Sequence, residues 1–595
     1  MKNEAPFAIC QGKTAHTNSK FNRKESNNKI VDISGMCGNI KITCDISREI
    51  TKGENMRKCV LVLLALLMIM PMLFAKGVEE AAPPTTSATS AKGVAQVYYE
   101  AFPPGGQGQS SFITTTAHRL DSYVNEPGVA ITWQGGLKNL LVENYEMQED
   151  GKVWILHLNK EAKWHDGEDV VPEDFIWSYS AWANPRVSTR WNGKAQSIVG
   201  YADVQAGKTD TLSGVTKVDE DTVRVELSVA MPLWMKLEQT YLVIFPYHIF
   251  KDVAPADVLG HSYWKNRIGT GPFKWAEYKP DQYIHLVRND SYYDGPAILA
   301  DIWLAIYQDA ASMLNAYASG DIDTVYYEGT TITPQERAYY ENLPGKTVVT
   351  MDKGSGSAIV LNFKDKDWAK KEVRQALMYA VDINSVLANL YPGAFVSRTI
   401  FPQKWAWGNN LNDYAYNPEK AKELLASAGF SGKTHKLYYT QTDALTQNLL
   451  VACQQYWAAV GVNVELVKID AGATQDVHAK SPDMFLNGTG VGLDPTLAET
   501  GLKTGELLAY GYSNPRVDEL FSYGKTLVDQ KEREPIYQEI SAIINEEVPR
   551  IWLWYDIRDL GFSDRVVGPA AHWAEQGTIL FNMGVYNEIT KWYIQ

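Results

Sequence analysis

Apolar and polar positions alternate with a period of two in several segments of the chain, which is the pattern of half-buried β-strands. The clearest segments are residues 95–101, 152–159 and 219–227, and in the second of these Trp154 and Leu156 fall on the same face. We therefore predict strands in these three segments, and an antiparallel region in the first half of the chain.

The period changes to that of amphipathic helices further along the chain, and the helix ends carry capping residues. Asp309 is placed to cap a helix that ends at Gly320, and Asn417 is followed by Pro418 at the start of a helix that ends at Gly429. Side-chain acceptors before a helix, proline in its first turn and glycine after it are the residue types that these positions favour. Helices that alternate with strands predict an α/β protein.

Residues 368–381 show the most regular of these helical patterns. Val373, Leu377 and Val381 make one apolar stripe, whereas Arg374 falls on another face. This spacing predicts a helix that buries the stripe in the core and leaves the basic side chain outside it.

The N-terminal part of the chain differs from the rest. A basic start is followed by an apolar run over residues 60–75, which is shorter than the ~20 residues that span a membrane and has the form of a secretory signal peptide. A cytoplasmic tail ahead of a membrane anchor is the alternative. The predicted order is a misassigned N-terminal extension, a signal peptide and a flexible linker, at residues 1–55, 56–75 and 76–94.

The composition changes once this leader is set apart. The whole chain of 595 residues has a formal net charge of −14, but residues 1–75 carry a net charge of +5, so the remaining 520 residues carry −19. Phosphate binding needs clustered Lys and Arg, so this acidic protein is not predicted to bind nucleic acid. Only Cys453 remains after the leader, so no intrachain disulfide is expected and the fold must rest on a large core.

The segment Trp164-His165-Asp166-Gly167 invites a catalytic interpretation of its histidine and aspartate. Asp-Gly suits a tight turn, and we interpret the segment as structural, with Trp164 in the core. The sequence contains no complete phosphate loop, no G-x-S-x-G elbow, no H-E-x-x-H and no C-x-x-C. We therefore predict no catalytic residue, no metal site and no cofactor.

Six segments resemble, in their order and spacing, those of one protein family. They are residues 154–179 (WILHLNKEAKWHDGEDVVPEDFIWSY), 268–273 (IGTGPF), 301–323 (ending ASGDID), 373–382 (VRQALMYAVD), 417–430 (NPEKAKELLASAGF) and 512–556 (from YSNPRVDEL to EEVPRIWLWYD). Together they resemble the extracytoplasmic solute-binding proteins of ABC importers, family 5, which is the peptide-, oligosaccharide- and nickel-binding class. Val171 departs from the family pattern, which has a capping Thr there, at a cost of about 1 kcal/mol.

The resemblance implies an α/β, two-lobed, periplasmic-binding-protein-like fold of type II, from the large cluster with an extra subdomain. A hinge between the lobes closes over a ligand, a membrane permease recognises the closed form, and no chemistry is done on the solute. The protein is expected to be periplasmic and monomeric. Lobe 1, its extra subdomain, lobe 2 and a return to lobe 1 are predicted at residues 95–345, about 145–267, 346–558 and 559–595.

The class of ligand depends on charge and on aromatic rings. A buried peptide needs partners for its ammonium and carboxylate, and peptide binders of the family place an Asp where Val491 stands here. Asp494 is the alternative anchor in that segment. A sugar is instead held by flat rings and hydrogen bonds. Loop and late-strand aromatic residues favour a sugar, and the predicted ligand-binding residues are Trp133, Trp405, Trp407, Asp494, Trp554 and Tyr555.

The leading hypothesis from the sequence is a binding protein that captures an oligosaccharide, such as a β-linked cello- or manno-oligosaccharide, and delivers it to an ABC permease. An oligopeptide ligand is the alternative, and a secreted hydrolase is a remote third. A nickel- or haem-binding member of the family would need a histidine cluster, and the histidines here are scattered.

Overall fold

The computed structural model describes residues 95–102, 110–113, 115–132, 136–188, 192–325, 332–441, 443–470, 473–490, 494–568 and 588–595. The predicted extension, signal peptide and linker lie outside these residues, and so does Trp133. Within the described ranges, no helix has the length and apolar character needed to cross a membrane.

Nineteen strands are formed by the described residues. They are β1 (Val97–Phe102), β2 (Val129–Ile131), β3 (Leu137–Asn139), β4 (Val142–Gln148), β5 (Val153–Leu158), β6 (Val215–Asp219), β7 (Thr222–Glu226), β8 (Phe273–Lys279), β9 (Tyr283–Arg288), β10 (Asp301–Ile306), β11 (Thr324–Val325), β12 (Lys346–Leu361), β13 (Phe395–Val396), β14 (His435–Tyr439), β15 (Val464–Lys468), β16 (Met484–Gly490), β17 (Arg550–Ser563), β18 (Val566–Val567) and β19 (Tyr593–Ile594).

Fifteen α-helices of the described chain lie between these strands, together with several short 3₁₀ turns. They are α1 (Thr115–Val124), α2 (Pro172–Ala183), α3 (Tyr201–Gln205), α4 (Trp234–Leu237), α5 (Tyr247–Phe250), α6 (Ala310–Ser319), α7 (Arg337–Glu341), α8 (Lys371–Tyr379), α9 (Ile383–Leu390), α10 (Pro418–Ser427), α11 (Ala444–Ala459), α12 (Thr474–Ala479), α13 (Glu499–Leu502), α14 (Pro515–Gly524) and α15 (Gln530–Glu547).

The main sheet has eleven strands, and the two longest, β12 and β17, link its two halves. Its order is β15-β14-β16-β12-β17-β11-β1-β10-β9-β8, with β13 added on β17. The antiparallel pairing of β12 with β17 is interrupted between Asp352 and Gly356, which face Ile557 and Tyr555. We call this interruption the crossing. On one side β17 pairs with β11, and on the other side β12 pairs with β16.

The crossing explains how one sheet serves two lobes. Residues 346–352 pair with the end of β17, in the half that contains β1 and β10, whereas residues 356–361 pair with β16 in the other half. Irregular pairing at such a point lets the strands bend and twist. The lobe boundary at residue 346 stays a prediction, and β12 begins at that residue, ahead of the crossing.

A separate four-stranded antiparallel sheet lies within the predicted extra subdomain. Its order is β4-β5-β7-β6, and α2 packs on it through a core of its own that includes Trp154, Phe175 and Trp234. A second and larger core gathers α8, α10, α11 and α15 against β12, β14 and β16. Each of the two sheets has helices packed on it and a hydrophobic core of its own. This is the α/β architecture that was predicted.

The predicted strands occur with small shifts and one change of partner. The prediction for 152–159 corresponds to β5. In 219–227 the strand is β7, because Asp219 is the last residue of β6 and residues 220–221 form the turn between the two strands. The prediction that 95–101 belongs to an antiparallel region with the other two was wrong. Its strand, β1, lies in the main sheet and pairs in parallel with β10.

The predicted helix caps are formed by the expected side chains. Asp309 Oδ1 accepts a hydrogen bond from Ser312 N at 2.8 Å, and Asn417 Oδ1 accepts one from Lys420 N at 2.9 Å. Gly320 follows α6 with φ +91°, which is a conformation that glycine adopts without strain. These local signals were sufficient because each cap depends on residues three or four positions apart.

The start of α2 has no side-chain cap at Val171 and is held instead by Asp174. Asp174, on the first turn, accepts a hydrogen bond from Val171 N at 2.8 Å, and its other partners are Trp164 Nε1 at 3.1 Å and Tyr247 N at 2.7 Å. Burial raises the pKa of Asp174 to about 6. The carboxylate therefore ties the helix start to the buried Trp164, which confirms the core role of that indole.

Arg374 contradicts the prediction that it lies outside the core. It is buried, and it donates hydrogen bonds to Trp368 O at 2.7 Å and to Glu547 O at 2.6 Å, and one from Nε to Val548 O at 3.0 Å. A cation at the C-terminal end of α15 satisfies carbonyls that the helix leaves unpaired. The helical period could not reveal this, because the carbonyls lie about 170 residues away in sequence.

Candidate ligand-binding site

A short strand next to the crossing positions the candidate site. Chain segment 391–394 turns after α9, and β13 then pairs with β17, with Phe395 opposite Tyr555 and Val396 opposite Trp554. Gly393 allows this turn because it has φ +95°, and a Cβ there would lie 2.9 Å from Ile557 Cδ1. The loop that follows β13 therefore begins beside the crossing.

Aromatic rings form a stack at the base of this loop. The rings of Trp407 and Tyr555 lie 5.9 Å apart with an interplanar angle of 19°, and Phe395 contacts the same tyrosine at 5.0 Å. Trp407 Nε1 donates a hydrogen bond to Phe401 O at 2.6 Å, and the Tyr555 hydroxyl donates to Thr399 O at 2.6 Å. Hydrogen bonds at both polar ends fix the orientation of the two rings.

A cavity of about 620 Å³ opens against this stack. That volume lies within the range of ligand sites in proteins. One wall is a face of α9, another is β13 with the turn before it, and the third is the loop that carries Trp407. The lining residues are Asn384, Leu387, Ala388, Gly393, Ala394, Phe395, Val396, Arg398, Lys404 and Trp407.

The charged groups of the cavity are both cations. Arg398 Nη1 lies 2.9 Å from Asp413 Oδ1, but the arginine side chain is 39% exposed and its partner 63%, so the pair is open to solvent. Lys404 is exposed at the rim. None of the lining residues is acidic, and Asp413, which pairs with Arg398, is not among them. The charged groups on the cavity wall therefore suit an anionic ligand better than a cationic one.

Two of the predicted site residues, Trp407 and Tyr555, contact each other at the cavity. Tyr555 is fully buried, so its ring supports Trp407 from below. Trp554 is also buried, with Nε1 donating to Asp556 Oδ1 at 2.7 Å, and its side chain belongs to the larger core that contains α8, α10, α11 and α15. Trp554 and Tyr555 therefore lie on opposite faces of β17, because successive side chains of a strand point to opposite faces.

Asp494 and Trp405 belong to a second group, which is centred on Arg533. The guanidinium of Arg533 donates to both carboxylate oxygens of Asp494, at 2.6 and 2.5 Å, and both side chains are 5% exposed. Asp494 Oδ1 also accepts from Thr496 N at 2.9 Å, capping the turn that begins at Pro495. Trp405 packs edge-on to Tyr537 beside this pair.

Sequence reasoning did not identify Phe395, Arg398 and Lys404 as site residues. The signal that was present is local: a glycine-containing turn after α9, followed by two cations within a short aromatic loop. The tryptophans indicated this loop in the sequence. The two cations could not be distinguished from ordinary surface residues, because only the folded chain places them on the wall of a cavity. The remaining candidate positions, Trp133 and Val491, lie outside the described residues.

His165 has a structural environment, in agreement with the interpretation of its motif as a turn. Its Nδ1 accepts a hydrogen bond from Gly269 N at 3.1 Å, and its Nε2 lies 2.9 Å from Gly271 O. Burial lowers the pKa of His165 to about 4, so the ring is neutral and is held by backbone on both sides. This histidine joins the start of α2 to the turn at residues 269–271.

Asp365, His435 and Asp483 are described residues whose possible metal-ligating atoms lie within 4.8 Å of one another. His435 is fully buried, with Nδ1 3.0 Å from each oxygen of Asp483, and Trp368 Nε1 donates to that same carboxylate at 2.6 Å. Lys433 forms an ion pair with Asp365. Since both carboxylates already have donors from the protein, the group acts as a network that joins β14 to the start of β16.

Comparison with known proteins identifies the family. The family described as bacterial extracellular solute-binding proteins, family 5 Middle, matches residues 136–504, which is more than half of the chain. The chain belongs to this family and is a substrate-binding protein of an ABC transporter. Family members are extracytoplasmic binding proteins and not enzymes, which confirms the family, the class of function and the absence of catalysis that were predicted.

Relatives of the chain have different ligands in their names. The oligopeptide-binding protein AppA of Bacillus subtilis is 24% identical over 491 residues, which cover 78% of this chain and 83% of AppA. The dipeptide-binding protein of Escherichia coli is 24% identical over 435 residues, with coverage of 69% and 79%. Heme-binding protein A of Haemophilus influenzae is 25% identical over 457 residues, with coverage of 72% and 80%.

Solved structures confirm the fold. The oligopeptide-binding protein AppA of Bacillus subtilis, in complex with a nonapeptide, is similar with a TM-score of 0.66 at 21% identity, covering 84% of this chain and 98% of that one. NikZ of Campylobacter jejuni, in complex with Ni(L-His), has a TM-score of 0.67 at 21% identity, covering 84% and 99%. The two-lobed fold of this class is therefore the fold of this chain.

Proposed function

We propose that this protein captures oligopeptides outside the cytoplasm and presents them to the permease of an ABC importer. The observation that carries this proposal is the cavity beside β13, in which aromatic and aliphatic walls meet two cations, Arg398 and Lys404. A peptide supplies both apolar side chains and an ionised group. A neutral sugar would displace water from Lys404 and Arg398 without supplying an opposite charge, and Arg398 would keep Asp413 as its anionic partner.

The relatives support this second of the two predicted ligand classes better than the first. The names of AppA and of the Escherichia coli protein specify an oligopeptide and a dipeptide, and none of the relatives described above is named for an oligosaccharide. Capture follows the hinge-closure scheme, in which the ligand binds the closed form more tightly than the open form. The crossing is the point at which β12 and β17 would bend.

An oligosaccharide remains the second candidate because of one observation. Trp405 and Trp407 are both partly exposed within the same loop, and exposed indoles suit the apolar face of a sugar ring. Of the other three aromatic residues predicted for sugar stacking, Trp554 and Tyr555 are buried and have no ring face open to a ligand, and Trp133 lies outside the described residues.

The remaining parts of the proposal concern export and assembly. Residues 56–75 act as the signal peptide and residues 76–94 as the linker of a periplasmic, monomeric protein, with residues 1–55 as a misassigned extension. The lobes extend over 95–345 and 346–558, with a return to lobe 1 at 559–595. N-terminal sequencing of the exported protein tests the first part, since it should begin near residue 76.

Thermal unfolding separates the two ligand classes. The protein is heated with a randomised pentapeptide pool, and separately with cello-, xylo- and manno-oligosaccharides. Ligand at 100 times Kd stabilises the folded state by about 2.7 kcal/mol, so we expect peptides to raise the unfolding temperature and sugars to leave it unchanged. Stabilisation by sugars alone would overturn the peptide proposal, and release of a cleaved product would overturn both binding proposals.

A further inference from the structure

We propose that the cavity beside β13 holds the C-terminal residue of the bound peptide, with its carboxylate at Lys404 and Arg398 and its apolar side chain against Trp407 and Phe395. This inference rests on the proposed function, since it assigns one end of the peptide to one part of the site. The direction of the peptide follows from the charges on the walls.

The first argument is electrostatic. Two cations and no carboxylate line the cavity, while the mature chain as a whole is strongly acidic. Asp413 partly offsets the charge of Arg398 but does not line the cavity, so an ammonium group entering it would still face Lys404 and the guanidinium, whereas a carboxylate would find both as opposite charges. The carboxyl end of a peptide is therefore favoured here over the amino end.

The second argument concerns the availability of the cations. Among the residues that the structure describes, the one ion pair at these two cations joins Arg398 to Asp413, and both of its side chains are substantially exposed. Exposed pairs of this kind contribute about 0–1 kcal/mol, so a ligand carboxylate can displace Asp413 at little cost. Lys404 stands at the rim, where its flexible side chain can reach an incoming anion.

The third argument is the shape and rigidity of the apolar wall. Trp407 is held by stacking on Tyr555 and by its hydrogen bond to Phe401 O, so its ring is fixed before a ligand arrives. Leu387, Ala388 and Val396 complete an apolar surface next to it. A preorganised wall lowers the entropy lost on binding, and aromatic or large aliphatic C-terminal residues fit it best.

The fourth argument is location. Phe395 and Val396 are paired to β17 at Tyr555 and Trp554, next to the crossing where β12 and β17 pass from one half of the sheet to the other. A ligand caught between two lobes lies against the strands that link them. The cavity is therefore placed to receive the end of a peptide that extends along this region.

The test compares two forms of one peptide pool. A randomised pentapeptide pool ending in phenylalanine is prepared as the free acid and as the C-terminal amide, and the concentration for half-maximal thermal stabilisation is measured for each. We expect the free acid to bind at least tenfold more tightly than the amide, and the variant R398Q/K404Q to reduce that ratio below threefold by weakening the acid alone. The charge-retaining variant K404R should keep the preference.

Two further arms make the result specific. The variant K422Q removes an exposed lysine of α10, outside the cavity, and should keep the wild-type ratio. An amidated pool with glutamate at its fourth position tests whether a side-chain carboxylate is the group that binds, and equal affinity of this pool and the free acid would contradict the C-terminal assignment. Equal affinity of the acid and plain amide pools would overturn the inference and leave peptide binding intact. If no pool stabilises the wild-type protein, both this inference and the proposed function are contradicted.

Discussion

The ring of Trp407 stacks on the ring of Tyr555, with centroids 5.9 Å apart and planes inclined by 19°. Tyr555 is buried and its hydroxyl donates to Thr399 O and Phe401 O, so it fixes the loop backbone as well as the indole. The partly exposed ring therefore rests on a rigid support that belongs to the strand passing through the crossing. This relationship connects the candidate site to the part of the sheet that links the two lobes.

Replacing Trp407 by alanine should weaken ligand binding because it removes one wall of the cavity. We expect the affinity for the peptide pool to fall at least tenfold, which is about 1.4 kcal/mol. Trp405→Ala is the matched comparison, since this indole lies in the same loop but does not line the cavity. Fluorescence titration of both variants measures the effect, and equal losses in the two would contradict the assignment of the site to the cavity.

Asp494→Asn should destabilise the protein, because Arg533 would be left buried without its anion. Burial acts to lower the pKa of Arg533, but its hydrogen bonds and charge attraction to Asp494 outweigh burial and raise it. Breaking a buried ion pair costs about 3–5 kcal/mol, which denaturant unfolding would measure. The exposed pair of Arg516 with Glu539 supplies the control, and Glu539→Gln should cost less than about 1 kcal/mol.

The same variant tests Asp494 as the anchor of a peptide ammonium. If the Asp494→Asn variant, measured at a low temperature at which it remains folded, binds the peptide pool with wild-type affinity, Asp494 is a structural residue. Complete loss of binding by a protein that remains fully folded would instead support the anchor role that the sequence suggested.

Glu126 should make stability depend on pH. Burial raises the pKa of this carboxyl group from 4.5 to about 7, despite hydrogen bonds from Tyr292 at 2.6 Å and Tyr293 at 3.0 Å. The folded state therefore holds the proton more tightly than the unfolded state. Its contribution to stability is fully present below about pH 4.5 and is lost as the pH rises through about 7.

Glu126→Gln removes this titrating group. The decrease in the free energy of unfolding between pH 5 and pH 8 should therefore be smaller in the variant than in the wild type, by on the order of 2–3 kcal/mol. The remaining slope comes from other buried acids such as Glu238, whose pKa burial raises to about 7. Denaturant unfolding at both pH values provides the measurement. The surface variant Glu423→Gln is the control, and identical slopes in the two variants would contradict the prediction.

Gly269→Ala should destabilise the link between the main sheet and the extra subdomain. A Cβ at this position would lie 1.7 Å from Val124 O, so the backbone of one segment must move. Overpacking costs about 1–3 kcal/mol, and a clash with backbone at this distance places the expected cost at the upper end of that range. Gly260→Ala is the matched control, since no atom lies within 4 Å of its Cβ position. Unfolding midpoints measured by circular dichroism compare the two, and a similar change in both would refute the argument.

Local sequence signals predicted much of the fold because they depend on neighbours in the chain. The caps at Asp309 and Asn417, the strand β5 and the core role of Trp164 were predicted from residues a few positions apart. Arg374 shows that local patterns do not predict contacts between distant parts of the chain. Its helical position indicated an exposed cation, but the carbonyls that bind it come from a helix end far along the chain.

The sequence by itself determined the family, the α/β class and the absence of enzyme motifs, since these depend on the order and spacing of residue types. Only the tertiary structure decided which side chains share a cavity. It buried Tyr555 and Trp554 on opposite faces of one strand, engaged Asp494 with Arg533, and brought Phe395, Arg398 and Lys404 around Trp407. The sequence shows which side chains are charged or aromatic. Whether these side chains face a ligand depends on the pairing of strands that lie about 160 residues apart, and no local pattern predicts that pairing.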